Sequence, residues 1–276
     1  MSIPTTGTAS YELAATLLTE SARIATRVVH GGIAMDPLDN CVFGTVVRGI
    51  RLTQGAATLI EKRLQGEAFI LGRSLFEDSL RMAEIGHEAR NKKGLMLEWQ
   101  LNSLAEMENL HSETRATRLE AKTWRDIPAK LALQRQQFDA LAKRDKITRR
   151  RFRSDKDAAM LFGRLHDYWT YRWAHEMAHG SDVAHMLYRK VDPRVDGLPQ
   201  NVYVSTDTAD PVMATSCANW CARSLLQSAG GAAVVFGRDP HETDDAFACS
   251  NQLEERLHEQ AGLGPGSPQP PPPPRN

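Results

Sequence analysis

The stretch Trp173-Ala-His-Glu-Met-Ala-His179 carries two histidines four residues apart, with a glutamate directly after the first. On an α-helix His175 and His179 lie one turn apart on one face, where two imidazoles can share a zinc ion. Glu176 then stands where it can activate a metal-bound water as general base. His185, ten residues after His175, is the candidate third ligand. With His166 these make four of the chain's nine histidines within 20 residues. The plain alternative is a set of helix-face histidines bonded to neighbouring carboxylates such as Asp167.

Arg73 and Glu77 form a second constellation. At i and i+4 they share a helix face flanked by Phe69, Phe76 and Leu80, so both polar heads are expected near the core. A charge pair placed there needs further partners, and His179 or Tyr168 can supply them. The result is either a polar network that fixes the packing of two helices or a catalytic cleft of Arg73, Glu77 and His179.

A third feature is electrostatic. The run Lys143–Lys156 holds eight basic residues (Lys143, Arg144, Lys146, Arg149, Arg150, Arg151, Arg153 and Lys156) against Asp145 and Asp155. Such a run can lie along the phosphates of RNA or another nucleic acid, with Phe152 as its one stacking side chain. It also reads as a solvated linker between helices. The chain as a whole has 34 basic and 34 acidic side chains, which excludes a chain-wide electrostatic grip on nucleic acid or anionic lipid.

The elements that must position these residues read as helices. Residues 95–162 contain no glycine and one proline, Pro128, and are rich in strong helix formers. Helices are expected at 11–29, 37–64, 67–87, 95–118, 119–143, 155–179, 212–228 and 242–259. Pro128 either kinks the fifth or moves its start. Asp36-Pro37 reads as an N-cap and first turn, and Gly180 as a stop. Val202–Val204 is the one short strand signal, inside a turn-rich segment. The fold expected is all-α, a single multi-helix bundle over 1–261. Half of the 14 prolines fall in the last twelve residues, so 262–276 is expected to be a disordered proline-rich tail able to dock on a protein partner.

The first ten residues lack the basic and apolar regions of a secretory signal, and no window approaches 18 consecutive apolar residues. Cys41, Cys217, Cys221 and Cys249 are sparse and irregularly spaced, unlike a disulfide framework. A cytoplasmic protein without a membrane span is expected.

Three resemblances follow from these residues. The spacing of His175, His179 and His185 is similar to that of metzincin-type zinc proteases, with Met213 imitating their Met-turn, although Asp182 stands where that pattern has glycine. Arg172 and His179, with six residues between them, resemble the R-x4-6-H pattern of HEPN domains, small helical domains of bacterial toxin and defence proteins. That resemblance implies a dimeric, metal-independent ribonuclease site in which Arg172 holds the phosphate and His179 acts as acid or base on the 2′-hydroxyl. Finally, Gly72-Arg-Ser-Leu-Phe-Glu-Asp78, followed by Tyr168, Tyr171 and Ala174-His-Glu-Met-Ala-His-Gly-Ser181, resembles a bacterial family of uncharacterised helical proteins. Its members carry an R-S-L-x-E helix and a later Y-x-x-x-S-x-x-x-H-G-S helix end. The likeness spans residues 42–237 and carries over onto Arg73, Glu77, His179, Gly180 and Ser181. The family usually has serine where this chain has His175, and no established activity comes with it.

Three functions therefore stand side by side. A HEPN-like, nucleic-acid-associated or RNA-cleaving protein needs Arg172, His179, a homodimer and no cofactor. A zinc hydrolase needs His175, Glu176, His179 and His185. A helical interaction domain needs none of them.

Overall fold

Apolar residues recurring every three or four positions build long amphipathic helices. The structure, a computed structural model, describes residues 6–30, 36–88, 90–116, 126–179, 189–191, 203–205 and 211–238, with Glu255. Among them are α1 (Thr6–Val29), α2 (Asp39–Glu61), α3 (Gln65–His87), α4 (Lys92–Ala116), α5 (Ile127–Arg144), α6 (Asp155–Leu161), α7 (Leu165–Ala178) and α8 (Pro211–Val235). A short antiparallel pair joins β1 (Arg189–Val191) to β2 (Tyr203–Ser205), with Lys190 opposite Val204. The expected all-α bundle is what the chain forms, and β2 falls on the segment that carried the one strand signal. Helix 242–259, apart from Glu255, and the tail 262–276 lie outside the described residues.

Helices α1, α2, α3 and α8 pack side by side as the body; α6 and α7 lie on α3, and α5 lies on α4. Two apolar clusters run through this body. One joins Leu17, Leu18, Ile60, Phe76 and Trp220 to Ala159 of α6 and Ala174 of α7. The other joins Val46, Met82, Ile85 and Leu225 to Leu95 of α4 and Phe138 of α5.

The structure moves three expected boundaries. α5 begins at Ile127, with Pro128 in its first turn, where the missing N–H costs nothing. The single helix expected over 155–179 is divided into α6 and α7. Gly163 adopts φ +67°, the Gly163 N–H donates to the Met160 carbonyl (3.2 Å), and the Arg164 N–H donates to the Ala159 carbonyl (2.7 Å). This is a Schellman stop, and it turns the chain before α7.

α8 runs seven residues past its expected end at Ser228, straight through Gly230-Gly231. The reason is tertiary. A Cβ built on Gly231 would stand 2.5 Å from the Met82 carbonyl oxygen of α3, so only glycine permits this approach of two backbones. Gly231→Ala is expected to destabilise the fold by about 1–3 kcal/mol through overpacking, measured by denaturant unfolding. An unchanged midpoint would refute this contact as a packing constraint.

Candidate functional site

Two local devices set α6 and α7 over α3. The Ser154 hydroxyl accepts from the Asp157 N–H (3.2 Å) and donates to its carboxylate (2.6 Å), which caps α6 and places Asp155 in its first turn. Arg164, just before α7, is buried and held by four hydrogen bonds. It donates to Asp167 (2.6 Å), Ser79 (2.9 Å), Ser224 (3.1 Å) and Gln227, and its guanidinium lies 4.9 Å over the Phe76 ring. This network pins the start of α7 to α3 and α8.

So held, α7 presents one face to α3 and α6. The Tyr171 hydroxyl lies 3.1 Å from a Glu77 oxygen and 3.4 Å from Asp155, and Arg73 donates to the same Glu77 oxygen (3.3 Å). A phenol has one proton, so at any instant it serves one of its two carboxylate acceptors. Burial raises the Asp155 pKa, and the neighbouring Glu77 charge raises it further. Burial and both carboxylates likewise push the Tyr171 phenol well above its ordinary value.

One turn on, the His175 and His179 rings stand 4.4 Å apart, centroid to centroid. Burial lowers the His175 pKa, as do the Arg73 cation and His179. Its Nδ1 is enclosed and takes no hydrogen bond among the described residues. Arg172, exposed on the same side, lies 3.9 Å from Glu176. Ser154, Asp155, Lys156, Tyr168, Arg172 and His175 line an open cleft beside Tyr171. It offers cations for a phosphate, aromatic rings, and an imidazole kept neutral near pH 7 that can accept a proton.

The structure thus brings Arg73 and Glu77 together, with Tyr171 rather than His179 or Tyr168 as the partner hydrogen-bonded to Glu77. It brings His175, His179 and Arg172 to one side of α7. For zinc it supplies two adjacent imidazoles, while His185, Gly180 and Ser181 lie outside the described residues. Among the described residues no three His, Cys, Asp or Glu side chains are grouped as a metal site. The sequence reading missed Asp155 as a site residue, having counted it only as a charge opposing the basic run. The helix expected over 155–179 already begins at Asp155, and it is the turn at Gly163 that folds α7 back to bring Tyr171 against it.

Because the folded Asp155 carboxyl binds its proton more tightly than an unfolded one, its ionisation costs stability once pH passes its folded pKa. Asp155→Asn is therefore expected to raise the thermal midpoint at about pH 7, with the gain fading as pH falls through the raised folded pKa and gone below the ordinary carboxylate value. A gain that persists in acid would show that charge is not its cause.

The basic run has a definite place. Arg149 donates to the buried Glu98 and to Asn102 (3.2 Å), Arg150 to Glu88 (3.3 Å), and Arg153 to the buried Glu84 (2.9 Å). Ile147 and Phe152 pack against the second cluster. Residues 147–154 are thus a strap sewn to α3 and α4 by ion pairs. The Arg149 hydrogen bond holds the Glu98 pKa down despite the burial that pushes it up. Lys143, Lys146, Arg151 and Lys156 have no ion-pair partner among the described residues.

No helix among the described residues is long and apolar enough to cross a membrane. No curated protein and no solved structure matches the chain. One family model does, and it spans α2 through β1, the segment that carries Arg73, Glu77, Asp155, Tyr171, Arg172, His175 and His179. That model matches residues 39–196, more than half of the 276-residue chain, and the chain belongs to its family, a family of unknown function (DUF5677).

Proposed function

We propose that the protein cleaves RNA without a metal, by acid–base chemistry at the α7 cleft. The observation that carries this reading is the pair of adjacent imidazoles: His175 lines the cleft with Arg172, and the His179 ring stands 4.4 Å from it, one turn on. In the proposed step Arg172 and Lys156 hold the phosphate. A neutral imidazole takes the proton of the 2′-hydroxyl, and the 2′-oxygen attacks phosphorus. The bond to the 5′-oxygen breaks, and that oxygen receives a proton, leaving a 2′,3′-cyclic phosphate and a 5′-hydroxyl.

In-line displacement places the attacking and leaving oxygens on opposite sides of phosphorus, whereas His175 and His179 stand side by side. The proposal therefore includes a homodimer, in which one chain's imidazole pair serves as base and the second copy's pair as acid. The outer stripe of α7 suits a two-fold contact. Leu165 and Trp169 are exposed there (Trp169 at 54%), with Met160 and Leu161 of α6 exposed alongside.

The test is cleavage of single-stranded RNA in EDTA by wild type, His179→Ala and Arg172→Ala, with mass by light scattering. Cleavage by a dimer, surviving EDTA and lost in both variants, supports the proposal. Activity lost in EDTA and restored by zinc would replace it with hydrolysis through His175, Glu176, His179 and His185. No cleavage of any RNA would replace it with a helical interaction domain.

A further inference from the structure

A second cavity opens behind the α7 cleft, between α2, α3, α4 and the strap, with Asp155 lining both. Its walls carry Arg48, Arg81, Trp99, Arg151 and Arg153. Most of their charge is spoken for: Arg48 grips the buried Asp78 with two nitrogens, Arg153 pairs with Glu84, and Glu98 of the wall is covered by Arg149. Arg81 differs from all of these. It is partly buried, its guanidinium stands 5.6 Å over the Trp99 ring, and it has no hydrogen bond or ion pair among the described residues. The exposed Arg151, on the strap side of the cavity, has none either.

A guanidinium resting on an indole is attracted through its face, while its in-plane N–H donors remain unused. Those donors form the fork that matches a phosphate or carboxylate bidentately. The Trp99 ring is itself fixed edge-on by Phe152 of the strap (5.8 Å), so the platform beneath Arg81 is held in place. Arg81 feels the Asp155 and Asp78 carboxylates and Arg151 that of Glu98. Neither guanidinium is hydrogen-bonded or ion-paired among the described residues, so both keep donors for the double charge of a phosphate monoester. Ser103 and Glu106 in the same wall offer a hydroxyl and a carboxylate to a ligand's own hydroxyls.

We infer that this cavity binds the phosphate group of a small ligand, gripped by Arg81 and Arg151. This does not depend on the RNA-cleavage reading, and its test keeps the two apart. Adenosine 5′-monophosphate, adenosine and inorganic phosphate are titrated into the full chain by calorimetry. The same titrations are made with Arg81→Gln, Arg151→Gln and Arg172→Ala.

The expected result is that the monophosphate binds wild type, that adenosine binds about tenfold more weakly or not at all, and that Arg81→Gln costs about tenfold. Arg172→Ala, which alters only the α7 cleft, should leave the Arg81-dependent component of binding unchanged. Inorganic phosphate binding as tightly as the nucleotide supports the same grip, with phosphate itself as the ligand. Should Arg81→Gln perturb folding, Arg151→Gln at its exposed position reads the same contact. Absence of binding by both phosphate compounds overturns the inference, as does binding unaffected by either substitution. Loss of binding in Arg172→Ala with Arg81 intact also overturns it, because the phosphate would then sit in the α7 cleft.

Discussion

Replacing Arg164 with alanine is expected to destabilise the protein by about 3–5 kcal/mol, the range for breaking one side of a buried ion pair. Arg164 is 7% exposed and Asp167, its partner at 2.6 Å, is 6% exposed. Burial pushes the guanidinium's pKa down while the Asp167 charge holds it up. Alanine would leave the Asp167 carboxylate enclosed, with Arg223 at 4.0 Å as its nearest cation. Ser79, Ser224 and Gln227 would each lose a donor, and every buried group so stripped costs about 1–3 kcal/mol unless water or a neighbour replaces it. Arg164→Lys keeps the charge but not the fork, and should recover only part of the loss. Urea unfolding of the three proteins checks the order. A loss below about 1 kcal/mol for alanine would mean that Arg223 swings in to neutralise Asp167.

How much of this could be read in advance depended on whether the cause lay nearby in sequence. The uninterrupted helix formers of 95–162 made the all-α class legible, because helix propensity and periodicity are local. So was the Arg73–Glu77 pair, one turn apart on α3. The third member of that group, Tyr171, was not, since it is 94 residues from Glu77 and only the packing of α7 on α3 brings them together. The carboxylate partners of the basic run were not legible for the same reason. Its count of charges is equally suited to phosphates or carboxylates, and the carboxylates that engage it, Glu98, Glu88 and Glu84, lie 51 to 69 residues upstream. Gly163 and Gly231 show the limit most sharply. Both are glycines in helical surroundings, Gly231 beside Gly230, yet Gly163 ends a helix while Gly231 lies inside one and admits a neighbouring backbone, because the packing of α8 on α3 decides it.

His179→Ala is expected to lower RNA cleavage in EDTA by about 10²- to 10⁴-fold, the usual contribution of a positioned acid–base group. The pH profile says more than the loss itself. A base must be unprotonated to act, so the rate rises with pH through the base's pKa. Burial, Arg73 and His179 all depress the pKa of His175, so if His175 is that base the rising limb lies below the ordinary histidine value. Arg73→Gln removes one of the charges that disfavour protonated His175, and the limb should move up towards that value. The sign follows because losing a nearby cation makes the imidazolium easier to form. His175→Ala should abolish the limb, and the double variant with His179→Ala should lose little more than the worse single one if the two rings act as a unit. A limb that stays fixed in Arg73→Gln, while cleavage still fails in His179→Ala, would make His179 the base and leave His175 a packing residue.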